Sequence, residues 1–115
     1  MIEKPPIIQR DPPDARAHPR ARTLLAGLVC YRDYSTSFDC TIRDLSEVGA
    51  RLRIASSSTL PSQFYLINIK AGLAYDAEIA WIQNKDIGVS WKEKISLAEP
   101  DPKVRDLRRL WMARR

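Results

Sequence analysis

A hexapeptide at residues 44–49, with the sequence DLSEVG, stands between two segments that alternate between apolar and polar residues. Residues 38–43 alternate as FDCTIR before it, and residues 50–54 alternate as ARLRI after it. Alternation with a period of two is typical of strands that are buried on one face. The hexapeptide is therefore predicted to connect two neighbouring strands of a sheet.

The residue types in this hexapeptide suit a tight connection. Asp44 and Ser46 carry short polar side chains that can hydrogen-bond to nearby backbone groups. Gly49 permits a positive φ or the close approach of another backbone segment. Taken alone, the hexapeptide favours a structural turn over a binding site.

Short strand-like segments separated by turn residues recur through the middle of the chain. Strands are predicted at residues 23–32, 37–44, 49–55, 64–69, 73–82 and 87–91. Short strands at regular spacing indicate an antiparallel sheet that closes into a barrel or packs as a sandwich. Closure is favoured because it removes the exposed edges of so small a sheet, and the predicted class is all-β.

The two ends of the chain differ from this middle part. Residues 1–15 contain four prolines and little apolar periodicity, which predicts a disordered, Pro-rich lead-in. Asp101 is a good N-cap and Pro102 suits a first helical position, so residues 101–113 are predicted to form a helix with an apolar stripe. The expected organisation is a lead-in at 1–15, a β-barrel with its arm at 16–100, and a helical segment packed on it at 101–115.

Length and composition indicate one globular domain, because 115 residues suit a single core. The sequence has no apolar run long enough to cross a bilayer and no signal-peptide core near its start, which predicts a cytoplasmic location. Cys30 and Cys40 fall within predicted strands. Without a secretory context, they are expected to be reduced, packed thiols.

The net charge of +5 is distributed unevenly. Residues 1–22 carry a net charge of +2, residues 23–100 carry −1, and residues 101–115 carry +4. A protein that binds duplex nucleic acid more often has a basic stripe on its folded body. Positive charge on an arm and a tail instead suits a small anionic ligand held by the arm, or an acidic partner surface.

Catalytic and metal chemistry have little support in the residue types. His18 is the only histidine, and Cys30 and Cys40 lack the spacing of zinc ligands. No phosphate loop of the nucleotide-hydrolase type occurs. Asp76 and Glu78 share a strand face, which a polar outer surface explains better than acid–base catalysis. A protein that is not an enzyme and has no metal or cofactor is therefore expected.

An Arg-x-x-x-Arg segment, from Arg16 to Arg20, precedes the first predicted strand, and the second predicted strand ends in the Asp-x-Ser-x-x-Gly hexapeptide. This order of motifs over residues 16–93 resembles the PilZ domain. The resemblance implies a six-stranded antiparallel β-barrel with a flexible N-terminal arm, followed here by the C-terminal α-helix. Many members of the family bind the bacterial second messenger cyclic di-GMP, so the resemblance also implies that ligand.

The resemblance assigns roles to the arginines of the arm. Arg16 and Arg20 would bind phosphate or the O6/N7 edge of guanine, which the planar guanidinium group matches. Arg22 would add a further phosphate contact, although the family pattern does not require it.

The resemblance also assigns roles to the residues of the turn. Asp44 would accept hydrogen bonds from guanine N–H groups, and Ser46 would bond a base or a phosphate. Gly49 would let the ligand approach the backbone.

The leading hypothesis is a stand-alone cyclic di-GMP receptor that binds the dinucleotide between the arm and the barrel. It would pass the signal by a conformational change to an unidentified protein effector. The first alternative is a PilZ-like adaptor that binds only protein. The second is a small barrel that binds single-stranded nucleic acid, which would require exposed aromatic residues beside basic residues on the sheet and is disfavoured by the net charge of the body.

Overall fold

The structure, a computed structural model, describes residues 21–54 and 60–115. They form six β-strands, a short 3-10 turn and one α-helix. The elements are β1 (Ala21–Tyr31), β2 (Ser37–Leu45), β3 (Gly49–Ile54), β4 (Gln63–Asn68), β5 (Leu73–Gln83), β6 (Asp86–Ser96), the 3-10 turn (Pro102–Val104) and α1 (Arg105–Arg114).

The strands close into an antiparallel barrel in the order β1-β2-β3-β6-β5-β4, and β4 pairs with β1 to complete the ring. The predicted all-β fold, a closed six-stranded antiparallel barrel with a C-terminal helix, is therefore confirmed. The sandwich that the strand pattern also allowed is not formed. The lead-in at 1–15 and most of the arm lie outside the described residues.

Strand β6 is longer than the sequence pattern predicted, since it continues past Trp91 to Ser96. The three residues after Trp91 are all charged and exposed, so the alternation that marks a strand is lost there. The strand persists because its second half pairs with the start of β5, beyond a register shift between Tyr75 and Ala77. A bulge of this kind leaves no period-two signal in the sequence.

The interior of the barrel is filled by the apolar residues of the alternating strands. The fully buried members of this cluster include Val29, Ile42, Leu52, Phe64, Leu66, Ile87 and Val89. Burying large aliphatic and aromatic side chains stabilises a fold by roughly 1.5–3 kcal/mol each. The barrel interior is therefore a packed core, and a ligand has to bind at its outer surface or its ends.

A second cluster lies outside the barrel, where α1 covers strands β1 and β4. Leu107 and Trp111 of the helix pack with Leu28, Cys30 and Ile67. Trp111 Nε1 also donates a hydrogen bond to the carbonyl oxygen of Ile69, at 2.7 Å. These contacts explain why three consecutive residues of β1, at 28–30, are all buried, since that strand is covered on both faces.

The start of the helical segment matches the predicted cap. Asp101 has extended backbone angles, and its Oδ1 accepts a hydrogen bond from the Lys103 backbone N–H at 2.9 Å. Pro102 occupies the first position of the 3-10 turn, and the α-helix proper begins only at Arg105. The single helix predicted over 101–113 is thus a 3-10 turn followed by α1.

Both cysteines are free and buried, as the sequence suggested. Burial raises the pKa of the Cys30 thiol to about 11 and that of the Cys40 thiol to about 12, and nearby carboxylates add to the effect. The two thiols are therefore protonated at neutral pH and act as packing groups.

Replacement of Trp111 by phenylalanine tests the attachment of α1 to the barrel. Trp111→Phe is expected to lower the free energy of unfolding by about 1–2 kcal/mol, because it leaves the Ile69 carbonyl without its donor. Met112→Ala is the matched control on the same helix, since Met112 is exposed and should change stability by less than about 0.5 kcal/mol. Equal losses for both variants in denaturant titrations would contradict this role of Trp111.

Candidate functional site

The connection between β2 and β3 is a tight turn held by Ser46. The Ser46 backbone N–H donates to the Gly49 carbonyl oxygen at 2.9 Å. Its Oγ donates to the same oxygen at 3.2 Å and accepts from the N–H groups of Val48 (3.3 Å) and Gly49 (3.2 Å). The prediction that the hexapeptide forms a structural turn is therefore confirmed, and Ser46 stabilises that turn.

Gly49 is required by a close approach of backbone and not by its φ angle. Gly72 is the glycine with a positive φ among the described residues. A Cβ built on Gly49 would lie 2.6 Å from the carbonyl oxygen of Val89 on β6. Of the two reasons that the sequence suggested for a glycine here, the positive φ is wrong and the close approach is correct.

Trp91 anchors the same turn from β6. Its backbone N–H donates to the Val48 carbonyl oxygen at 2.9 Å, and its indole Nε1 donates to the Glu47 carbonyl oxygen at 2.9 Å. The indole ring stacks on Tyr75, with ring centroids 4.0 Å apart. The alternation of residues 87–91 accounts for a buried Trp91, whereas its hydrogen bonds to the turn depend on β3 and β6 being neighbours.

Asp44 is buried at the end of β2, with 4% of its surface exposed. Its Oδ2 lies 2.5 Å from Nε of Arg51 on β3. Arg51 Nη1 lies 3.5 Å from Oδ2 of Asp86 on β6, which in turn pairs with Arg53. A carboxylate is tolerated at so buried a position because it is paired with a guanidinium group.

The start of β1 lies beside this carboxylate. In the register of β1 and β2, Ala21 pairs with Leu45 and Arg22 pairs with Asp44. Strand β1 was predicted to begin at residue 23, and the structure places Arg22 within the strand. Arg22 therefore belongs to the barrel and not to the arm.

Three arginines from β1, β2 and β3 line an open cleft of about 460 Å³ next to Asp44. The lining residues are Arg22, Thr23, Leu24, Arg43 and Arg51, and we call this feature the arginine cleft. Leu24 is 77% exposed and gives the cleft an apolar surface. The cleft offers positive charge beside an apolar surface, a combination that suits an anionic ligand with ring systems.

The structure brings together four of the six residues that the sequence selected. Arg22, Asp44, Ser46 and Gly49 lie around the start of β1 and the turn between β2 and β3. Arg16 and Arg20 lie outside the described residues, so their roles stay predictions.

Sequence reasoning missed two arginines of the site, Arg43 and Arg51. Simple alternation places both on the outer face of their strands, where a charged residue needs no explanation. A register shift in β2 between Ile42 and Asp44 sets Asp44 directly opposite Arg51, and such a shift is not visible in the sequence. The one feature of the sequence that could have indicated the Asp44–Arg51 pair is that the two residues flank a short turn, seven positions apart.

Two further observations bear on the kind of site. Among the described residues, no group of three or more His, Cys, Asp or Glu side chains lies close enough to hold a metal ion. None of the helical segments in residues 21–54 and 60–115 has the length and apolar content needed to span a membrane.

Removal of the Ser46 hydroxyl tests its role in the turn. Ser46→Ala is expected to lower the free energy of unfolding by about 0.5–1.5 kcal/mol, because two backbone N–H groups lose their acceptor. Ser62→Ala is the control, since Ser62 is exposed at the edge of β4 and should have almost no effect. Thermal unfolding of both variants provides the comparison, and wild-type stability in Ser46→Ala would contradict the assignment.

Comparison with known proteins places these features in a family. The family model described as PilZ domain matches residues 14–111 of the chain. Among solved structures, the chain is similar to the PilZ domain of CeSA from a cellulose-synthesizing bacterium, at 16% sequence identity and a TM-score of 0.46. That similarity covers 82% of this chain and 95% of the other. No curated protein matches the sequence.

Proposed function

We propose, from the premise that the chain belongs to the PilZ domain family, that it is a receptor for cyclic di-GMP. PilZ domains are ligand-binding signalling domains and not enzymes, and many members of the family bind cyclic di-GMP. In this proposal the dinucleotide binds between the N-terminal arm and the barrel, at the turn between β2 and β3.

One observation carries this proposal, namely the pairing of Ala21 with Leu45 and of Arg22 with Asp44. Arg20 directly precedes Ala21, and consecutive Cα atoms are about 3.8 Å apart. The Arg-x-x-x-Arg segment is therefore joined to the barrel at the strand end that carries Asp44. Two motifs that are distant in sequence can thus act on one ligand.

The chemistry of the residues fits the two parts of a cyclic dinucleotide. Arg16 and Arg20 provide charge-assisted hydrogen bonds to phosphate or to a guanine edge. Asp44 provides an acceptor for guanine N–H groups, and its Oδ2 is already oriented by Arg51. Arg22 is exposed beside Asp44 and supplies a further positive charge.

Ser46 and Gly49 contribute mainly through the shape of the turn in this proposal. The Ser46 hydroxyl already donates one hydrogen bond and accepts two, which is the full capacity of a hydroxyl group. A contact between Ser46 and the ligand requires one of these bonds to be exchanged. Gly49 keeps the turn against β6, so that the backbone of the hexapeptide stays at a fixed position.

In this proposal the arm transmits the signal, because it becomes ordered when the ligand binds. Ordering a residue costs roughly 1–2 kcal/mol of conformational entropy, so the ligand must supply several strong contacts to the arm. The arm then presents a new surface that an effector protein can bind or release.

One patch of the barrel has aromatic residues beside an arginine, which is the combination that binding of single-stranded nucleic acid would require. Tyr34 stacks on Tyr65 with ring centroids 5.9 Å apart, and Arg32 lies 5.6 Å from the Tyr65 ring centroid. Arg32 is also paired with Asp76 at 3.0 Å, so its charge is neutralised within the protein. The aromatic faces stack on each other, and the patch is therefore a weaker candidate than the arginine cleft.

Calorimetric titration tests the proposal and separates it from its alternatives. The protein is titrated with cyclic di-GMP, with GTP and with a short single-stranded oligonucleotide. We expect saturable binding of cyclic di-GMP only. Saturable binding of the oligonucleotide without the dinucleotide would favour the nucleic-acid alternative, and binding of neither would favour an adaptor that contacts only protein.

A further inference from the structure

The arginine cleft concentrates positive charge to an extent that the family motifs do not account for. Arg22, Arg43 and Arg51 come from three neighbouring strands, and no acidic residue lies among the described residues that line the cleft. Neither Arg22 nor Arg43 forms an ion pair within the described part of the chain. Arg22 and Arg43 therefore add two positive charges that no carboxylate neutralises among the described residues, and an anion that enters the cleft gains favourable electrostatic interactions with them.

Arg51 is the most constrained of the three arginines. Its Nε is held by Asp44 and its Nη1 by Asp86, at 2.5 Å and 3.5 Å respectively. Its side chain is only 25% exposed. Among the described residues its Nη2 forms no hydrogen bond or ion pair. This nitrogen is therefore available to a ligand in the cleft that Arg51 lines. A guanidinium group held in place loses less conformational freedom on binding than a free one.

We propose that the arginine cleft is a phosphate-binding subsite and that Arg51 couples this subsite to Asp44. The inference rests on the proposed function, because the phosphate is that of the cyclic dinucleotide. Arg51 keeps the Asp44 carboxylate oriented towards a base and donates its remaining N–H groups to a phosphate oxygen. Arg22 and Arg43 hold the same anion from the neighbouring strands, and exposed Leu24 offers an apolar contact beside it.

Arg53 provides a matched control for Arg51. Both arginines lie on β3 and both pair with Asp86, at 3.5 Å for Arg51 and 3.0 Å for Arg53. Arg53 is 49% exposed and does not line the cleft. The two variants Arg51→Gln and Arg53→Gln remove the same charge from the same strand, and only the first removes it from the proposed subsite.

The first measurement compares the affinities of these variants for cyclic di-GMP by calorimetric titration. Arg51→Gln is expected to bind at least about tenfold more weakly than the wild type, because a charge-assisted hydrogen bond is lost. Arg53→Gln is expected to stay within about twofold, because an exposed ion pair contributes little. Arg51→Lys keeps the charge but not the planar fork, and it is also expected to bind more weakly than the wild type.

The second measurement separates direct phosphate binding from mere orientation of Asp44. Arg51→Gln is introduced into an Asp44→Asn background, and the further loss of affinity is measured. If Arg51 contacts the phosphate directly, Arg51→Gln still lowers the affinity for cyclic di-GMP by about tenfold in this background. If Arg51 only orients Asp44, Arg51→Gln causes no further loss of affinity. Thermal unfolding confirms that each variant is folded, and Arg51→Lys replaces Arg51→Gln if the latter does not fold.

The outcomes distinguish the inference from the function on which it rests. Failure of the wild-type protein to bind cyclic di-GMP overturns both. Binding by the wild type with an unchanged affinity in Arg51→Gln or Arg51→Lys overturns the inference alone. A loss that disappears in the Asp44→Asn background also overturns the phosphate subsite.

Discussion

Replacing Arg16 and Arg20 together by alanine is expected to lower the affinity for cyclic di-GMP by at least about a hundredfold. Each charge-assisted contact to a phosphate contributes roughly 1.5–3 kcal/mol, and two are lost. Arg20→Ala alone is expected to cost at least about tenfold. Both residues precede β1 in a stretch with little apolar sequence, so the unfolding midpoint should be almost unchanged. Calorimetric titration and thermal unfolding of the same samples measure the two effects.

The lead-in provides the control for these arm variants. Arg10 is also an arginine that precedes the barrel, but it lies outside the Arg-x-x-x-Arg spacing. Arg10→Ala is expected to bind with nearly wild-type affinity. An equal loss for Arg10→Ala and Arg20→Ala would show that the arm acts through its overall charge, and a wild-type affinity in the double variant would remove Arg16 and Arg20 from the site.

Replacing Trp91 by alanine is expected to lower the free energy of unfolding by about 3–5 kcal/mol, which is the usual cost of removing a large buried aromatic side chain. The indole is only 7% exposed and stacks on Tyr75. The substitution also removes the hydrogen bond from Nε1 to the Glu47 carbonyl oxygen. Denaturant titration measures the loss, and a change below about 1 kcal/mol would contradict the packing described for this residue.

Phenylalanine at the same position separates packing from the anchoring of the turn. Trp91→Phe keeps most of the ring and removes the Nε1 donor, so a stability loss of about 1 kcal/mol is expected. The affinity for cyclic di-GMP should fall as well, because the turn that carries Asp44 and Ser46 is less firmly held. Trp111→Phe removes a similar hydrogen bond, from Nε1 to the Ile69 carbonyl oxygen, which involves no residue of the turn at 46–49, and its affinity should not change. Equal affinities for the two variants would contradict the anchoring role of Trp91.

The sequence was most informative where the alternation of apolar and polar residues was regular. The segments on either side of the hexapeptide predicted β2 and β3 to within a residue at each end, because one face of each strand is buried. Asp101 and Pro102 similarly predicted the start of the helical segment, since a cap is a local feature. The order of the motifs then indicated the family and with it the closed barrel.

The sequence was least informative where the structure depends on register. The extension of β6 and the pairing of Asp44 with Arg51 both follow register shifts, which change the facing of residues without a local signal. The hydrogen bonds from Trp91 to the turn depend on the pairing of β3 with β6, and these strands are far apart in the chain. Candidate residues that belong to a linear motif could be selected from the sequence, whereas those that neighbouring strands bring to the same place could not.

The most direct test of the central claim is hydrogen exchange of the backbone amides in the free and the ligand-bound protein. We expect the amides of residues 16–20, apart from Pro19, to exchange fast in the free protein and to become protected when cyclic di-GMP binds. The amides of the turn at residues 46–49 should gain protection in the same experiment. If ligand binding is demonstrated and residues 16–20 exchange equally fast in both states, binding between the arm and the barrel is contradicted.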